Sequence, residues 1–349
     1  MKRTVLTILQ VCVTLGMLWW VFHDPEQLKK MREALRQADY TWIMLAILAY
    51  VMVEIAAAIR WQILLRVQKI YLSLSRVAGL FLIGMFYNQV LPGGTAGDIM
   101  KSYLLLKETK DNKAGALLAV VFDRLIGLVA LVAITVTLVS LRFDLLWRTP
   151  TPAGSDLTPR QLVLVLLFLL GTSITGLIAS FVISGFNLFH RLPHKFPGRE
   201  KLIEISAAYH LYARHWVATL AAFGASLVAH ISTFTTFLCV AFAFHADVKV
   251  IDFFAVLPIE RTITALPISV AGVGVREKIL QVLLNSLCHV DIPVAKLIGT
   301  MSFLVMFICC LPGAIVYFCY RPSGVQGRVR LSEMQREVVT VEHEISESE

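Results

Sequence analysis

Long apolar segments alternate with short polar ones along the whole chain. A helix needs about 20 predominantly apolar residues to cross the hydrocarbon core of a bilayer, and six segments reach that length. The segment Asp24–Asp39 has charged residues at helical spacing, which is typical of an amphipathic helix on a membrane surface. The pattern predicts an all-α, polytopic helical membrane bundle with six full spans. The predicted spans are Thr4–Phe22, Thr41–Leu65, Ala114–Leu141, Gln161–Gly185, Trp216–Phe244 and Pro293–Tyr320.

Two further apolar runs are too short to cross comfortably. Val77–Leu91 and Phe253–Leu266 have about 14 or 15 residues each, a length typical of re-entrant segments. An amphipathic segment follows each run, namely Asp98–Leu106 after the first and Val275–Leu287 after the second. We therefore expect two re-entrant broken hairpins, although hydropathy alone also allows some of these pieces to be full spans.

Both short runs end in the skeleton Leu-Pro-x-x-x-Ala-Gly, which begins at Leu91 and again at Leu266. Proline removes a backbone donor and glycine allows sharp turns, so both motifs should interrupt a helix. A matched pair of interrupted segments in the two halves of a chain is typical of transporters built from inverted repeats. We expect residues 91–98 and 266–275 to be non-helical. The predicted hinge residues are Pro92, Gly93, Gly94, Gly97, Pro267, Gly272 and Gly274.

The distribution of basic residues predicts the topology. With the N-terminus inside, the inner segments hold 18 Lys and Arg residues and the outer ones hold 9, or 11 when Arg276 and Lys278 are included. The positive-inside rule then favours cytoplasmic positions for both termini. The re-entrant hairpins, at about 77–106 and 253–287, become inverted copies that enter from opposite faces. We expect one transmembrane domain over residues 1–321 and a disordered cytoplasmic tail over residues 322–349.

Composition agrees with a membrane protein and argues against several functional classes. Hydrophobic residues make up 57% of the chain and charged residues make up 16%. The net charge of +8 is not concentrated in basic runs interleaved with aromatic residues, so nucleic acid is not an expected partner. The chain has no zincin, hydrolase or P-loop motif, and its six cysteines include no Cys-x-x-Cys pair. We expect no catalytic residue, no bound metal and no cofactor.

Ionisable residues inside membrane segments are costly and are functional candidates for that reason. Asp123 and Arg124 are adjacent, so they point in different directions on a helix and each needs a separate partner. Arginine suits phosphate because its fork matches two oxygens. Ion pairing inside the bundle is the alternative explanation, and Arg60, near a helix end, is explained by snorkelling. The candidate substrate-binding residues are Lys101, Arg124, Arg261, Arg276, Glu54, Asp98, Asp123, Glu260 and Glu277.

Four motifs spread over residues 60–320 point to a known family. They are Arg60-Trp61-x-x-Leu64-Leu65; Asn88-x-x-Leu91-Pro92-Gly93-Gly94-x-x-Gly97-Asp98-x-x-Lys101-x-Tyr103; Asp123-Arg124-x-x-Gly127-Leu128; and Gly272-x-Gly274-x-Arg276-Glu277. With these motifs the chain resembles the lysylphosphatidylglycerol synthase transmembrane-region family. That family includes the flippase domain of the bacterial multiple peptide resistance factor. Ala96 stands where the family often has a second glycine.

The resemblance implies a protein of a bacterial or archaeal cytoplasmic membrane that translocates or handles a lipid with a polar head group. It does not imply lipid synthesis, because aminoacyl transfer in bifunctional members belongs to a separate soluble domain. The 29 residues after the last predicted span are too few for such a domain. We expect a flippase-like transporter whose partner is a lipid with an anionic or phosphate-bearing head group.

Two alternatives stay open at this point. One is a membrane-embedded accessory protein or enzyme that acts on a polyprenyl-phosphate or a glycolipid without translocating it. The other is a structural membrane subunit whose charges only pair with one another. Assembly into a homo-oligomer is compatible with all three interpretations.

Overall fold

The fold is helical throughout the part of the chain that the computed structural model describes, namely residues 25–91, 96–109, 112–149, 158–185, 199–265 and 272–319. Twelve helices lie in these ranges. They are α1 (Pro25–Arg36), α2 (Tyr40–Val67), α3 (Leu74–Val90), α4 (Ala96–Glu108), α5 (Lys113–Leu141), α6 (Phe143–Arg148), α7 (Pro159–Gly185), α8 (Arg199–Arg214), α9 (Trp216–Ala243), α10 (Val250–Thr264), α11 (Val275–Cys288) and α12 (Ile292–Cys319).

Five of these helices, α2, α5, α7, α9 and α12, are long and apolar enough to cross a membrane. They correspond to five of the six spans predicted from hydropathy, and the all-α polytopic architecture is confirmed. The first predicted span, Thr4–Phe22, and the predicted tail lie outside the described residues. Helix α1 falls within the segment predicted to be amphipathic, and α8 is a second short polar helix directly before α9.

Two pairs of shorter helices interrupt the series of long ones, as the sequence predicts. Helices α3 and α4 have 17 and 13 residues, and α10 and α11 have 15 and 14. The two members of each pair pack against each other as a hairpin. Asn112, before α5, donates a hydrogen bond to the carbonyl oxygen of Gln68 at 2.9 Å. This contact holds the base of the first hairpin beside the end of α2.

The chain leaves the helical conformation at both predicted breaks. Leu91 ends α3 in an extended conformation, with φ −97° and ψ 137°. In the second break Gly272 and Gly274 have φ values of +74° and +84°, which glycine adopts without the steric cost that other residues meet. The other predicted hinge residues of the two breaks, Pro92, Gly93, Gly94 and Pro267, lie outside the described residues.

The prediction of a non-helical segment is wrong for Ala96, Gly97 and Asp98, which form the first turn of α4, and for Val275, which begins α11. The Oδ1 atom of Asn88 accepts a hydrogen bond from the Gly97 N–H at 2.8 Å. The first backbone donors of a helix have no partner within the helix, and Asn88 supplies one from the opposite limb of the hairpin. Helix α4 can therefore begin earlier than its glycine content suggests.

Helices α2 and α9 form an antiparallel pair at the centre of the bundle. Near one end, the rings of Trp42 and Phe242 lie 5.0 Å apart, so the start of α2 meets the end of α9. Further along, Arg60 Nη1 donates to Ser226 Oγ at 3.2 Å, so the later part of α2 meets the earlier part of α9. Both helices have 28 residues, and each is followed by one of the hairpins.

Corresponding helices of the two halves make corresponding contacts with the opposite half, as in an inverted repeat. The first half contains α2, the α3–α4 hairpin and α5, and the second contains α9, the α10–α11 hairpin and α12. Helix α3 packs against α12, and its counterpart α10 packs against α5. Because α2 and α9 are antiparallel, the hairpins that follow them begin at opposite ends of the pair. The two hairpins therefore enter the bundle from opposite ends.

Candidate functional site

A buried ion network lies where the first hairpin meets α2 and α5. Asp123 on α5 accepts a hydrogen bond from Arg60 Nε at 2.7 Å and another from Lys101 Nζ at 3.2 Å. The side chains of Asp123 and Lys101 are only 2% and 4% exposed. Arg60 also reaches Ser226 on α9, so the network joins four helices. One carboxylate thus serves two cations, which leaves an excess of positive charge.

Lys101 occupies a groove that aromatic residues and a glycine form for it. Its Nζ atom lies 4.2 Å from the ring centre of Trp61 and 5.0 Å from that of Phe81, so two ring faces add cation–π contacts. The stem of the lysine crosses α3 at Gly84, where an added Cβ would lie 2.5 Å from Lys101 Cγ. Glycine at this position therefore makes room for the lysine.

The two limbs of the first hairpin approach each other at Gly84 and Gly97. A Cβ added at Gly97 would collide with the carbonyl oxygen of Gly84 and would lie 2.6 Å from Asn88 Cγ. The close approach brings the start of α4 against α3 and fixes the direction in which α4 continues towards Lys101. The glycine of the Leu-Pro-x-x-x-Ala-Gly skeleton therefore permits helix contact here and does not form a turn.

Arg124 forms a second ion pair beside the buried network. Its Nη2 atom donates to Asp98 Oδ1 at 2.7 Å, and the pair joins α5 to the first turn of α4. The Arg124 side chain is 56% exposed, whereas that of Asp98 is 20% exposed. Arg124 lies about 16 Å along α5 from its start, well inside a candidate membrane span. Adjacent residues Asp123 and Arg124 thus have separate partners, as their helical spacing indicates.

The second hairpin carries its own buried pair. Arg276 Nε on α11 lies 3.4 Å from Glu260 Oε1 on α10, and the side chains are 3% and 0% exposed. The guanidinium carbon is 5.1 Å from the ring centre of Phe303 on α12. The Thr264 hydroxyl lies 3.1 Å from the same Glu260 oxygen. In contrast to Arg124 and Asp98, both members of this pair are closed off from solvent.

Glu277 lies in the first turn of α11, and its carboxylate is within electrostatic range of Arg276. Its Oε2 atom accepts a hydrogen bond from the Gly274 N–H at 2.6 Å, so the carboxylate caps the start of the helix. Across from it, Gly299 on α12 leaves room for the Glu277 backbone, since an added Cβ would lie 3.4 Å from Glu277 Cα. The candidate role of Glu277 is therefore to hold α11 against α12.

Polar groups between the hairpins connect the ion network at the first hairpin with the buried pair of the second hairpin. His230 on α9 contacts the Gly127 carbonyl oxygen at 3.1 Å and lies close enough to both Arg60 and Arg261 to interact electrostatically. Arg261 also lies within electrostatic range of Tyr50 on α2. A line of polar side chains therefore crosses the central α2–α9 pair from one hairpin to the other.

Glu54 lies at the far side of this line. Its Oε1 atom is 4.0 Å from the sulfur of Cys310, and it interacts electrostatically with Tyr50. The side chain is half-buried. Cys309, next in sequence to Cys310, is also within electrostatic range of the carboxylate. Glu54 therefore contacts thiol and phenol groups and lies at the edge of the charged interior.

The structure divides the nine candidate residues into groups that hydropathy does not distinguish. Arg124 lies on α5 beside the first hairpin, whereas Arg276 lies on α11 of the second hairpin, and the two side chains differ strongly in exposure. The explanation of Arg60 by snorkelling is wrong, because its side chain is 12% exposed and pairs with Asp123. The signal that could have identified Arg60 is its place in the first family motif. The first-hairpin group is Lys101, Arg124, Asp98 and Asp123, the second-hairpin group is Arg261, Arg276, Glu260 and Glu277, and Glu54 stands apart.

A long-helix bundle with two opposed hairpins and a charged interior defines a polytopic helical membrane protein. Within the ranges that the structure describes, no group of three or more His, Cys, Asp or Glu residues could hold a metal ion. The chain belongs to the family described as the lysylphosphatidylglycerol synthase TM region, whose profile matches residues 7–313. The predicted family is confirmed, and membership in it is consistent with a function related to membrane lipids.

A UPF0104 membrane protein of Pyrococcus horikoshii is similar to part of the chain. The two are 29% identical over 134 residues, a segment that covers 38% of this chain and 38% of that relative. The relative is described only as a membrane protein.

Proposed function

We propose that this protein translocates a lipid with a phosphate-containing head group across the membrane. The head group would pass through the charged interior between the hairpins, and the acyl chains would stay in the bilayer. The observation that carries the proposal is the exposed side chain of Arg124 inside a candidate span. A charge at that depth is costly against lipid tails, and it favours a wet cavity that a phosphate can enter.

The charge balance of the first hairpin supports an anionic head group. Three cations, Arg60, Lys101 and Arg124, share two carboxylates there, those of Asp98 and Asp123. One bound phosphate would neutralise the excess charge. Arg124 is the candidate for direct contact because it is exposed and its planar fork matches two phosphate oxygens. Lys101 and Arg60 would contribute their field from behind.

Arg276 would contact the head group in a second conformation. It follows Gly272 by four residues, as Lys101 follows Gly97, so both cations have the same place in their hairpins. In the conformation described here Glu260 neutralises Arg276 and the pair is buried. In transporters with inverted repeats the two halves exchange conformations, and access changes from one face to the other. Opening of the second hairpin would then expose Arg276.

The test compares lipid translocation by variants reconstituted in proteoliposomes with fluorescent phospholipids. Arg124→Ala should lower the rate at least about tenfold, because a desolvated, charge-assisted contact contributes about 2 kcal/mol or more. Arg124→Lys keeps the charge but loses the fork, so its rate should lie between those of Arg124→Ala and the unchanged protein. Arg148→Ala is the matched control, since Arg148 also pairs with an aspartate, Asp144, but lies outside the candidate spans.

A second variant separates transport from folding. Arg124→Ala leaves Asp98 without its cation, whereas the double variant Arg124→Ala, Asp98→Ala leaves no stranded charge. The double variant should fold as the unchanged protein does and still fail to move lipid. Wild-type transport by folded Arg124→Ala would show that the arginine is structural and would refute the proposal. Lipid binding without translocation by the unchanged protein would favour the accessory-protein alternative.

A further inference from the structure

A basic cavity lies at the end of the bundle where α2 ends and α9 begins. It has a volume of about 610 Å³, and its polar lining includes Arg66, Arg214 and His215. Arg66 lies in the last turn of α2 and Arg214 in the last turn of α8. Both arginines are exposed, and neither forms an ion pair with a carboxylate of the described residues. The cavity therefore presents positive charge that the described chain does not neutralise.

An apolar groove adjoins this cavity and shares Trp216 with it. The groove has a volume of about 400 Å³ and lies between α5, α8 and α9. Its wall is firm, because Phe122 stacks on Tyr212 with ring centres 4.2 Å apart. Tyr212 in turn donates to the Leu64 carbonyl oxygen at 3.2 Å. The volume falls within the range of ligand pockets, and the lining suits hydrocarbon.

We propose that one anionic phospholipid binds to the basic cavity and the apolar groove together, a site that we call the corner. Its phosphate would lie at Arg66 and Arg214, and one acyl chain would lie in the apolar groove. Helices α5 and α9 are candidate spans, so the groove faces the hydrocarbon of the bilayer. Trp216 begins α9, the position at which aromatic residues mark the membrane interface. Basic pockets at helix ends attract anionic head groups at that level. The site is separate from the charged interior and does not depend on translocation.

Comparison with a cavity at the opposite end of the molecule supports an anionic lipid as the ligand of the basic cavity. A cavity of similar volume, about 610 Å³, lies at that end and is lined by α1, the residues that follow α9, and the segment where α11 ends and α12 begins. That cavity is lined by Lys30 together with Glu33 and Asp291, so acids offset its base. The two cavities have similar volumes but differ in charge. The cavity with Arg66 and Arg214 should therefore favour anionic over zwitterionic lipid, whereas the cavity at Lys30 should not.

The test measures thermal melting of the full-length protein in nanodiscs of phosphatidylglycerol or phosphatidylcholine with the same acyl chains. The unchanged protein should melt at a higher temperature in phosphatidylglycerol, and native mass spectrometry should show one retained phosphatidylglycerol. Arg66→Gln and Arg214→Gln should each reduce this difference, and together they should weaken the lipid affinity roughly thirtyfold. Lys30→Gln, in the cavity at the opposite end, should leave both measurements unchanged. Inorganic phosphate added to phosphatidylcholine nanodiscs should not raise the melting temperature.

A variant in the groove tests the second half of the proposal. Ala213→Phe fills the apolar groove and keeps both arginines, so it should also reduce retention of phosphatidylglycerol. Equal melting of all variants in phosphatidylcholine establishes that they are folded. Undiminished phosphatidylglycerol preference in the double arginine variant would overturn the site, and so would a lipid-independent dimer that covers the corner. Arg124→Ala should keep the lipid preference, so failure of this site and failure of the transport proposal give different results.

Discussion

Replacement of Asp123 by asparagine should destabilise the fold more than loss of either cation that it binds. The carboxylate is 2% exposed and accepts hydrogen bonds at 2.7 Å from Arg60 and at 3.2 Å from Lys101. Asparagine keeps the size but removes the charge, which strands two cations inside an apolar bundle. Removal of one partner from a buried ion pair costs about 3–5 kcal/mol, and here two pairs lose the same partner.

The matched variant is Lys101→Met, which removes one cation and keeps the apolar stem. The Arg60–Asp123 pair then remains, so we expect a loss of about 1 kcal/mol, of the order measured for single polar contacts between membrane helices. The double variant Asp123→Asn, Lys101→Met strands only Arg60. It should therefore be more stable than Asp123→Asn alone, although it carries one more substitution.

Unfolding in mixed micelles, titrated with SDS and followed by circular dichroism, gives the free energies of the three variants. The order of stability is the test, because it depends on charge balance and not on the absolute scale. The network would be unimportant for stability if Asp123→Asn unfolded no more readily than Lys101→Met. A double variant less stable than Asp123→Asn would show that Lys101 stabilises through its aromatic contacts and not through Asp123.

The remaining predictions concern the hairpins and the topology. Gly97→Ala should reduce the yield of folded protein because its Cβ would collide with the opposite limb, whereas Gly176→Ala, with open space around it, should not. Glu277→Ala should lower the free energy of unfolding by about 1 kcal/mol through loss of the cap, and Glu277→Gln, which still accepts from Gly274, should lower it less. A single cysteine at position 335, in a background without native cysteines, should react with an impermeant reagent only after the cells are opened; ready labelling of intact cells would refute a cytoplasmic C-terminus.

Hydropathy predicts the long helices and the hairpins well because both depend on the transfer energy of contiguous residues. Helices α2 and α9 begin within one residue of the predicted spans, and the limbs of both hairpins are found. The start of α4 is missed because it depends on Asn88 of the other limb, which no local pattern reveals. Helix propensity depends on a residue and its neighbours in sequence. It therefore cannot predict a helix cap that a residue of another helix supplies.

The sequence predicts which charged residues belong to the candidate site but does not predict which of them form ion pairs with one another. Intramembrane charge identifies Asp123 and Arg124, and helical spacing correctly separates their partners. The identity of each partner depends on how α2 and α4 are rotated against α5. Snorkelling is the expectation for Arg60 from sequence because the residue lies near the end of an apolar segment. The structure turns it inward because Gly127 on α5 leaves space beside its guanidinium, where an added Cβ would lie 3.1 Å from Arg60 Nη1.

The two hairpins share a backbone plan but differ in their charge, and this difference bears on the proposed mechanism. Lys101 joins a second cation on one aspartate, whereas Arg276 lies against Glu260 and within electrostatic range of Glu277. If the two halves exchange conformations during translocation, the excess positive charge stays with the first hairpin in both states. A phosphate would then stay within reach of the first hairpin when Arg276 contacts it in the second conformation. The second hairpin would act mainly as a gate, and release of Arg276 from Glu260 would be the step that opens it.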